Sequence, residues 1–183
     1  VLMQVFSNFR LFAAAKQGVA ALEFAIIAPL LMVPLLLGSV DLIDALGANS
    51  RAQNAGSSIA DIVARDTEVT NAEVNGIWDA LDLLMFPNDS SNMAIRITSV
   101  SIVNASTAQV VWSEGHGGMS ARVTGSNVTG LDSRMMVPGT SIIMSESSYK
   151  YDSPLRFLFP GQVTMEHTSY RRSRLVDPIP RAS

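Results

Sequence analysis

The chain of 183 residues has no cysteine, only two histidines, and few charged side chains, which make up 16% of the sequence. Without cysteine there can be no disulfide framework, no thiolate metal site and no cysteine nucleophile. His116 and His167 each lack a second histidine at ligand spacing, so the sequence predicts no metal site and no cofactor. The net charge of −3 gives no indication of nucleic-acid binding.

Patterns typical of catalysis are also missing. The sequence has no G-x-S-x-G nucleophile elbow, and neither a lysine nor a helix follows Gly115-His-Gly-Gly118 as in a phosphate-binding loop. We therefore predict that the protein is not an enzyme. The alternative, a secreted enzyme freed by a signal peptidase, would need a catalytic cluster that the sequence does not display.

What the sequence does contain is a charge-free apolar run from Phe24 to Val40. As a helix this run reaches about 25 Å, and flanking residues extend it to the ~30 Å of a bilayer core. Pro29 and Pro34 are better tolerated in a membrane helix than in a soluble one. We predict a transmembrane helix over residues 19–40. A buried core helix and a secretory signal cleaved near residues 45–47 are the alternatives.

The charges on either side of this run predict its orientation. Arg10 and Lys16 precede it, whereas the first charges after it are Asp41 and Asp44. The positive-inside rule then places the N-terminus in the cytoplasm and residues 41–183 outside. The expectation is a single-pass membrane protein whose C-terminal domain lies outside the cytoplasm.

Glu23 lies at the edge of the apolar run, where a carboxylate is costly unless it is paired or reaches the headgroups. Gly18 precedes Val19, Glu23 is the fifth residue counted from Val19, and Phe24 follows. A basic leader, a glycine, four residues, a glutamate, an aromatic residue and an apolar helix together resemble type IV prepilins. The pattern is most similar to the tight-adherence (Tad/Flp) branch.

This resemblance implies processing by a membrane aspartyl peptidase, the prepilin peptidase, which cuts after the glycine. The scissile bond would be Gly18–Val19. The resemblance also implies that the Glu23 carboxylate pairs with the new α-amine, usually that of a neighbouring subunit. The main pilin subunit has tyrosine where this chain has Phe24, which favours a minor pseudopilin. The implied role is assembly of a Tad/Flp pilus for surface adhesion, with other pilins and pilus-assembly membrane proteins as partners.

Later motifs extend the resemblance to the TadE/TadG-like pilus-assembly family as far as Arg174. They are Trp112-Ser113, the strand-like segment 138–151 and the basic ending 170–174. Their order carries more weight than any one of them. The alternative function is a membrane-anchored binding or sensory module that is not processed.

Small residues predict two packing faces on the first helix. One lies in the apolar run, and the other forms a seam that continues beyond it. The first contains Ala21, Ala25 and Ala28, and the second contains Ala45, Ala48, Ala52, Ala55, Ile59 and Ile62. The seam could pack on other subunits or on the chain's own domain.

A capping box at Thr70–Glu73 predicts a second helix that ends near Phe86. Its apolar face comprises Val74, Ile77, Trp78, Leu81 and Met85. Beyond it, segments rich in Ile, Val, Thr and Ser predict strands. These strands are 94–104, 107–113, 140–151 and 163–172, and a long exposed glycine-rich loop spans 114–140.

The predicted fold class is α+β. A transmembrane helix extends into a periplasmic amphipathic helix, and a small antiparallel sheet of about four strands packs on helices. The predicted divisions are a cytoplasmic leader (1–18), the membrane helix (19–40), a helical stalk with the second helix (41–90) and the β domain (91–183).

Overall fold

The structure is a computed structural model that describes residues 16–182, with only the backbone described for residues 16 and 17. Arg10 and the side chain of Lys16, on which the predicted orientation partly depends, lie outside the described residues. The predicted α+β fold is confirmed. Its elements are α1 (Lys16–Val63), α2 (Asn71–Met85), β1 (Met93–Asn104), β2 (Thr107–His116), β3 (Asn127–Val128), β4 (Ser141–Tyr151) and β5 (Val163–Arg172).

Helix α1 is continuous over 48 residues, through Pro29 and Pro34. At 1.5 Å per residue it is about 72 Å long. Residues 18–37 are exposed on nearly every side, whereas residues 41–63 bury one face. The most apolar 18-residue window of the helix has a mean hydropathy of 2.3, and none of it is buried. The N-terminal part of α1 is therefore long and apolar enough to span a membrane, while the C-terminal part is a core helix.

The C-terminal part of α1 packs on the chain's own sheet through its alanine seam. Ala45, Ala48, Ala52, Ala55 and Ile59 are 5% exposed or less. The seam then departs from the prediction, since Ile62 is 47% exposed and Val63 is fully buried. The predicted seam followed a 3.5-residue repeat, but an α-helix that does not supercoil turns every 3.6 residues, so the buried face drifts along it.

The sheet is antiparallel and has the strand order β3-β2-β1-β4-β5. The four predicted strands are present, and the predicted hairpin is formed by β1 and β2. The fifth strand, β3, consists of two residues within the predicted 114–140 loop and pairs Val128 with Ala108. Strand β2 also runs three residues further than predicted, to His116.

The sheet face that meets α1 is lined by small side chains. Built on Gly56, a Cβ atom would lie 3.2 Å from Ser147 Oγ and 3.5 Å from Ser145 Oγ. Ser99 lies on the same face of the neighbouring strand, and the Ser99 and Ser145 hydroxyls have no hydrogen-bond partner among the described residues. Because an unpaired buried hydroxyl destabilises the fold, we infer that these positions require small volume rather than a hydroxyl.

The glycine-rich loop predicted to be exposed covers part of the opposite face of the sheet. There Val128 is buried, and Leu131 and Met136 pack against it. They form a second, smaller core with the outward-facing side chains of the strands, which are Val100, Ile102, Ala108, Val110, Ile142 and Met144. The sheet is therefore covered on both faces, by α1 and α2 on one side and by this loop on the other.

An ion-pair cluster ties the loop to the sheet. The Glu146 carboxylate accepts hydrogen bonds from Arg96 Nε at 2.8 Å and from Arg122 Nη2 at 2.8 Å, and Arg122 belongs to the loop. Arg96 also donates to the Ser120 carbonyl at 3.0 Å. Burial by itself would raise the pKa of the Glu146 carboxyl, but the two guanidinium groups hold that pKa below its ordinary value.

Helix α2 and the C-terminal segment close the main core. The predicted capping box is confirmed, with Thr70 and Glu73 hydrogen-bonded to each other's backbone N–H groups. The segment after β5 returns to α1, where Arg174 N donates to the Ala64 carbonyl at 3.0 Å. Trp112 Nε1 donates to the carbonyl of the fully buried Ile179 at 2.8 Å. Trp112, part of a predicted family motif, thus fixes this segment against the core.

Enlarging Gly56 tests the close packing of α1 on the sheet. We expect Gly56→Leu to destabilise the domain by about 1–3 kcal/mol, because its side chain would collide with the two serines. Gly76→Leu is the matched control, since no atom lies within 4 Å of a Cβ built on this helical glycine. The control should gain up to about 0.8 kcal/mol from helix propensity. Thermal unfolding in detergent measures both; equal stability of the two variants would contradict the close packing.

The Glu146 cluster predicts a loss of stability in acid. A carboxyl whose folded-state pKa is lowered stabilises the fold above its unfolded value, here 4.5, and this contribution disappears as the pH falls through the folded-state pKa. Glu146→Gln should therefore remove part of the drop in stability below that pH. Glu166, exposed on the same sheet face, provides the control variant Glu166→Gln. Denaturant unfolding between neutral and acid pH makes the measurement, and parallel curves for Glu146→Gln and the wild type would refute it.

Candidate functional site: the membrane boundary of the first helix

The residues of the predicted processing site lie on the exposed N-terminal part of α1. Gly18, Val19 and Glu23 are all exposed, and Phe24 is 72% exposed. Val19 and Glu23 are four residues apart in a helix, so they share a face one turn apart. No atom lies within 4 Å of a Cβ built on Gly18. Nothing in the described structure therefore obstructs access to the Gly18–Val19 bond.

The two predicted alanine faces of α1 have different surroundings. Ala21 and Ala25 are exposed and Ala28 is partly so, which leaves this face open to lipid or to another helix. The alanines at 45, 48, 52 and 55 are buried under the chain's own sheet. Of the two alternatives for the distal seam, the structure uses it for packing within the chain.

Asp41 marks the point where the apolar run of α1 ends, and it is buried with only 1% of its surface exposed. Its carboxylate accepts hydrogen bonds from the backbone N–H of Phe157 at 3.0 Å, the backbone N–H of Leu158 at 2.8 Å, and the Ser153 hydroxyl. All three donors belong to the loop between β4 and β5. Hydrogen bonds to an ionised acceptor are among the stronger ones in proteins, so Asp41 clamps this loop against the helix.

The clamped loop has a defined shape. Ser153 Oγ, itself held by Asp41, accepts a hydrogen bond from Arg156 N at 3.1 Å. This bond supports Arg156 in a left-handed conformation with a φ of +53°, which is uncommon for a residue other than glycine. The Arg156 guanidinium pairs with Asp152 at 2.7 Å on the exposed side of the loop.

One helical turn further along, Asp44 forms a second contact between α1 and the end of β4. Tyr151 donates its hydroxyl to Asp44 Oδ2 at 2.8 Å. Burial, together with the neighbouring carboxylate, raises the pKa of Tyr151 to about 12. The phenol therefore stays protonated at physiological pH and remains a donor to Asp44. Asp41 and Asp44 together fix the sheet to α1 directly beside the apolar run.

The predicted basic ending also contacts α1. Arg174 Nη2 lies 2.5 Å from Asp61 Oδ1, and Arg171 Nε lies 3.9 Å from the same oxygen. Arg171 also donates to the Ser57 hydroxyl. These arginines hold the far end of the sheet to the helix.

Both histidines make contacts with the helices. His116 stacks on Trp78 with ring centroids 4.9 Å apart. His167 Nε2 lies 3.0 Å from Asn49 Oδ1 on α1. Within residues 16–182, no group of three or more histidine and acidic side chains could hold a metal ion.

Sequence reasoning used Asp41 and Asp44 only as negative charges that define orientation. It missed that both contact the β domain, Asp41 as a buried residue and Asp44 as a partly buried one. The available signal was that Asp41 immediately follows the charge-free run, just as Glu23 immediately precedes it. Its hydrogen-bond donors lie 112 to 117 residues away in the sequence, so no local pattern could reveal them.

Removing the Asp41 carboxylate should release the β4–β5 loop. Asp41→Ala leaves three donors without their acceptor, at a cost of about 1–3 kcal/mol for each donor that stays shielded from water. We expect lower thermal stability and faster proteolysis after Arg156. Asp152→Ala is the control, because it removes only an exposed ion pair worth about 0–1 kcal/mol. Limited proteolysis with mass spectrometry measures both, and identical digestion of the two variants would contradict the clamp.

A comparison with known protein families gives a match to most of helix α1. Residues 18–61 match the family model described as TadE-like protein. Comparisons with curated proteins and with solved structures gave no match. The match begins at the glycine of the predicted processing site and ends at Asp61, so the resemblance of the later motifs up to Arg174 stays a prediction. Among residues 16–182 the structure has one helix that is long and apolar enough to span a membrane, and the chain is TadE-like over residues 18–61.

Proposed function

We propose that the protein is a minor pseudopilin-like component that supports assembly of a tight-adherence type pilus and, through it, surface adhesion. The observation that carries this proposal is the TadE-like match, which covers α1 from Gly18 to Asp61. A second observation agrees with it. Among the described residues the apolar N-terminal part of the helix is exposed, as a subunit that stacks against other membrane helices would need.

In this proposal the N-terminus lies in the cytoplasm and the β domain lies in the periplasm. The acidic residues Asp41 and Asp44 follow the span, and they are held by the β domain. The partners are the inner membrane, other pilins and pseudopilins, and the membrane proteins of pilus assembly. The role is structural, and the proposal requires no catalytic residue in this chain.

The proposed processing step is hydrolysis of the Gly18–Val19 bond by a prepilin peptidase. The product has a new α-amine at Val19, which is mostly cationic at neutral pH. Since Val19 and Glu23 share a helix face, this amine lies about 6 Å along the axis from Glu23 of the same chain. A neighbouring helix, shifted along its axis, could present its own amine to the same carboxylate. In a desolvated setting such a pair fixes the register, because either charge left alone is costly.

Processing can be tested directly. In cells that contain the peptidase, N-terminal sequencing and intact mass of the membrane form should show a chain that begins at Val19. Gly18→Leu should block cleavage without disturbing the fold, because a side chain at this position meets no neighbour. An unprocessed chain that still supports piliation would contradict the cleavage proposal.

Glu23 should matter for assembly and not for insertion. We expect Glu23→Ala to remain in the membrane at the wild-type level and to reduce pilus formation severely, because the amine loses its partner. Glu68→Ala, an exposed acid beyond the end of α1, is the control and should assemble normally. Membrane fractionation and counting of pili by electron microscopy provide the two readouts. Normal piliation with Glu23→Ala would instead favour an unprocessed, membrane-anchored binding or sensory module.

A further inference from the structure

We propose that the β4–β5 loop enters the lipid bilayer beside α1 and forms a second membrane contact for the β domain. The loop spans residues 152–162, and its tip carries Leu155, Phe157 and Leu158. These three side chains are 46%, 46% and 47% exposed. The occupant proposed for this apolar surface is the phospholipid leaflet that α1 already crosses. The inference depends on the single membrane span and not on pilus assembly.

The loop lies at the level of the apolar run of α1. Leu158 packs directly over Gly38, where a built Cβ atom would lie 3.5 Å from Leu158 Cδ1. Gly38 lies within the charge-free run, about 4.5 Å along the axis before Asp41. A side chain at this level is at the level of the membrane.

Helix α1 stays apolar beyond Asp41 on the side away from the sheet. Leu42, Ile43 and Leu46 are 45%, 69% and 57% exposed. The apolar surface of the helix thus reaches more than one turn further than the charge-free run. The bilayer boundary therefore fits no earlier than Asp41, which puts the tip of the loop, packed at the level of Gly38, on the lipid side of it.

Three consecutive backbone N–H groups at the tip of the loop are hydrogen-bonded within the chain. A segment in lipid cannot leave N–H groups unpaired, since each one costs several kcal/mol there. Pro154 and Pro160 have no N–H group. The N–H groups of Arg156, Phe157 and Leu158 are bonded to Ser153 and Asp41. The clamp described above therefore has a second consequence, because it lowers the cost of placing the tip of this turn in an apolar medium.

The charge on the loop is also suited to a membrane surface. The Arg156 side chain is 63% exposed between two apolar residues. Its guanidinium pairs with Asp152 in the structure, and to reach lipid phosphates it would exchange this exposed ion pair for them while its stem stays among the acyl chains. An aromatic residue beside it, Phe157, matches the composition of interfacial anchors.

The absence of cysteine from the whole chain makes the test straightforward. Single cysteines replace Leu155, Phe157, Leu30 or Val103 in the full chain, and each is labelled with an environment-sensitive fluorophore. Leu30, at the middle of the span, reports insertion. Val103 is the matched control, because it is 52% exposed but lies at the end of the sheet away from the loop. The proteins are reconstituted in vesicles of phosphatidylethanolamine and phosphatidylglycerol, with and without brominated acyl chains.

Labels at positions 155 and 157 are expected to show blue-shifted emission and loss of intensity with brominated lipid, as at position 30. The label at 103 should show neither. A label at 157 that behaves like the one at 103 while position 30 is quenched would overturn the proposal. Shielding that appears only at high protein-to-lipid ratio would also overturn it, because the occupant would then be a second copy of the chain. If position 30 itself is not quenched, the membrane span fails and the loop contact fails with it.

None of these outcomes requires processing at Gly18 or the presence of other pilus components. A negative result in vesicles together with normal cleavage and piliation would therefore remove the loop contact and leave the proposed function standing. The reverse combination would remove the pilus role and leave the loop contact standing.

Discussion

The close contact between helix α1 and the sheet is the constraint on which the rest of the structure depends. Alanines and Gly56 on the helix meet serines on the strands, so the two backbones approach more closely than larger side chains would allow. Helix α1 therefore lies close against the sheet at Gly56. Its other contacts, Asp41 to the β4–β5 loop, Tyr151 to Asp44 and Arg174 to Asp61, all follow from this placement.

Local sequence signals predicted most of the elements. The capping box at Thr70 set the start of α2, and the runs rich in Ile, Val and Thr gave the strands because these residues suit a pleated, half-buried surface. Signals that depend on tertiary packing were less informative. Strand β3 exists because Val128 fills the smaller core, and Val63 replaces Ile62 because the helix does not supercoil. Neither fact is visible in a window of a few residues.

The candidate site likewise has one part that local sequence patterns predict and another part that depends on tertiary packing. The segment Gly18 to Phe24 could be recognised from spacing, because its pattern lies within seven consecutive residues. Asp41 could not be assigned a role, because its partners come from a loop more than a hundred residues later. The proline-flanked segment of that loop was visible as an apolar patch in the sequence. The patch can be related to the membrane because it lies over Gly38, and this position is determined by the packing of the sheet on α1.

Glu23 and Asp41 stand at the two ends of the apolar run, about 27 Å apart along the helix axis. This length is close to the thickness of a hydrocarbon core. The membrane span and the core helix of the β domain are one continuous helix, with no loop between them to absorb a thicker or thinner bilayer. Such a bilayer would instead change the tilt of α1 and turn the whole β domain with it. The thickness of the membrane thus sets the tilt of α1 and, through it, the angle at which the β domain faces its neighbours.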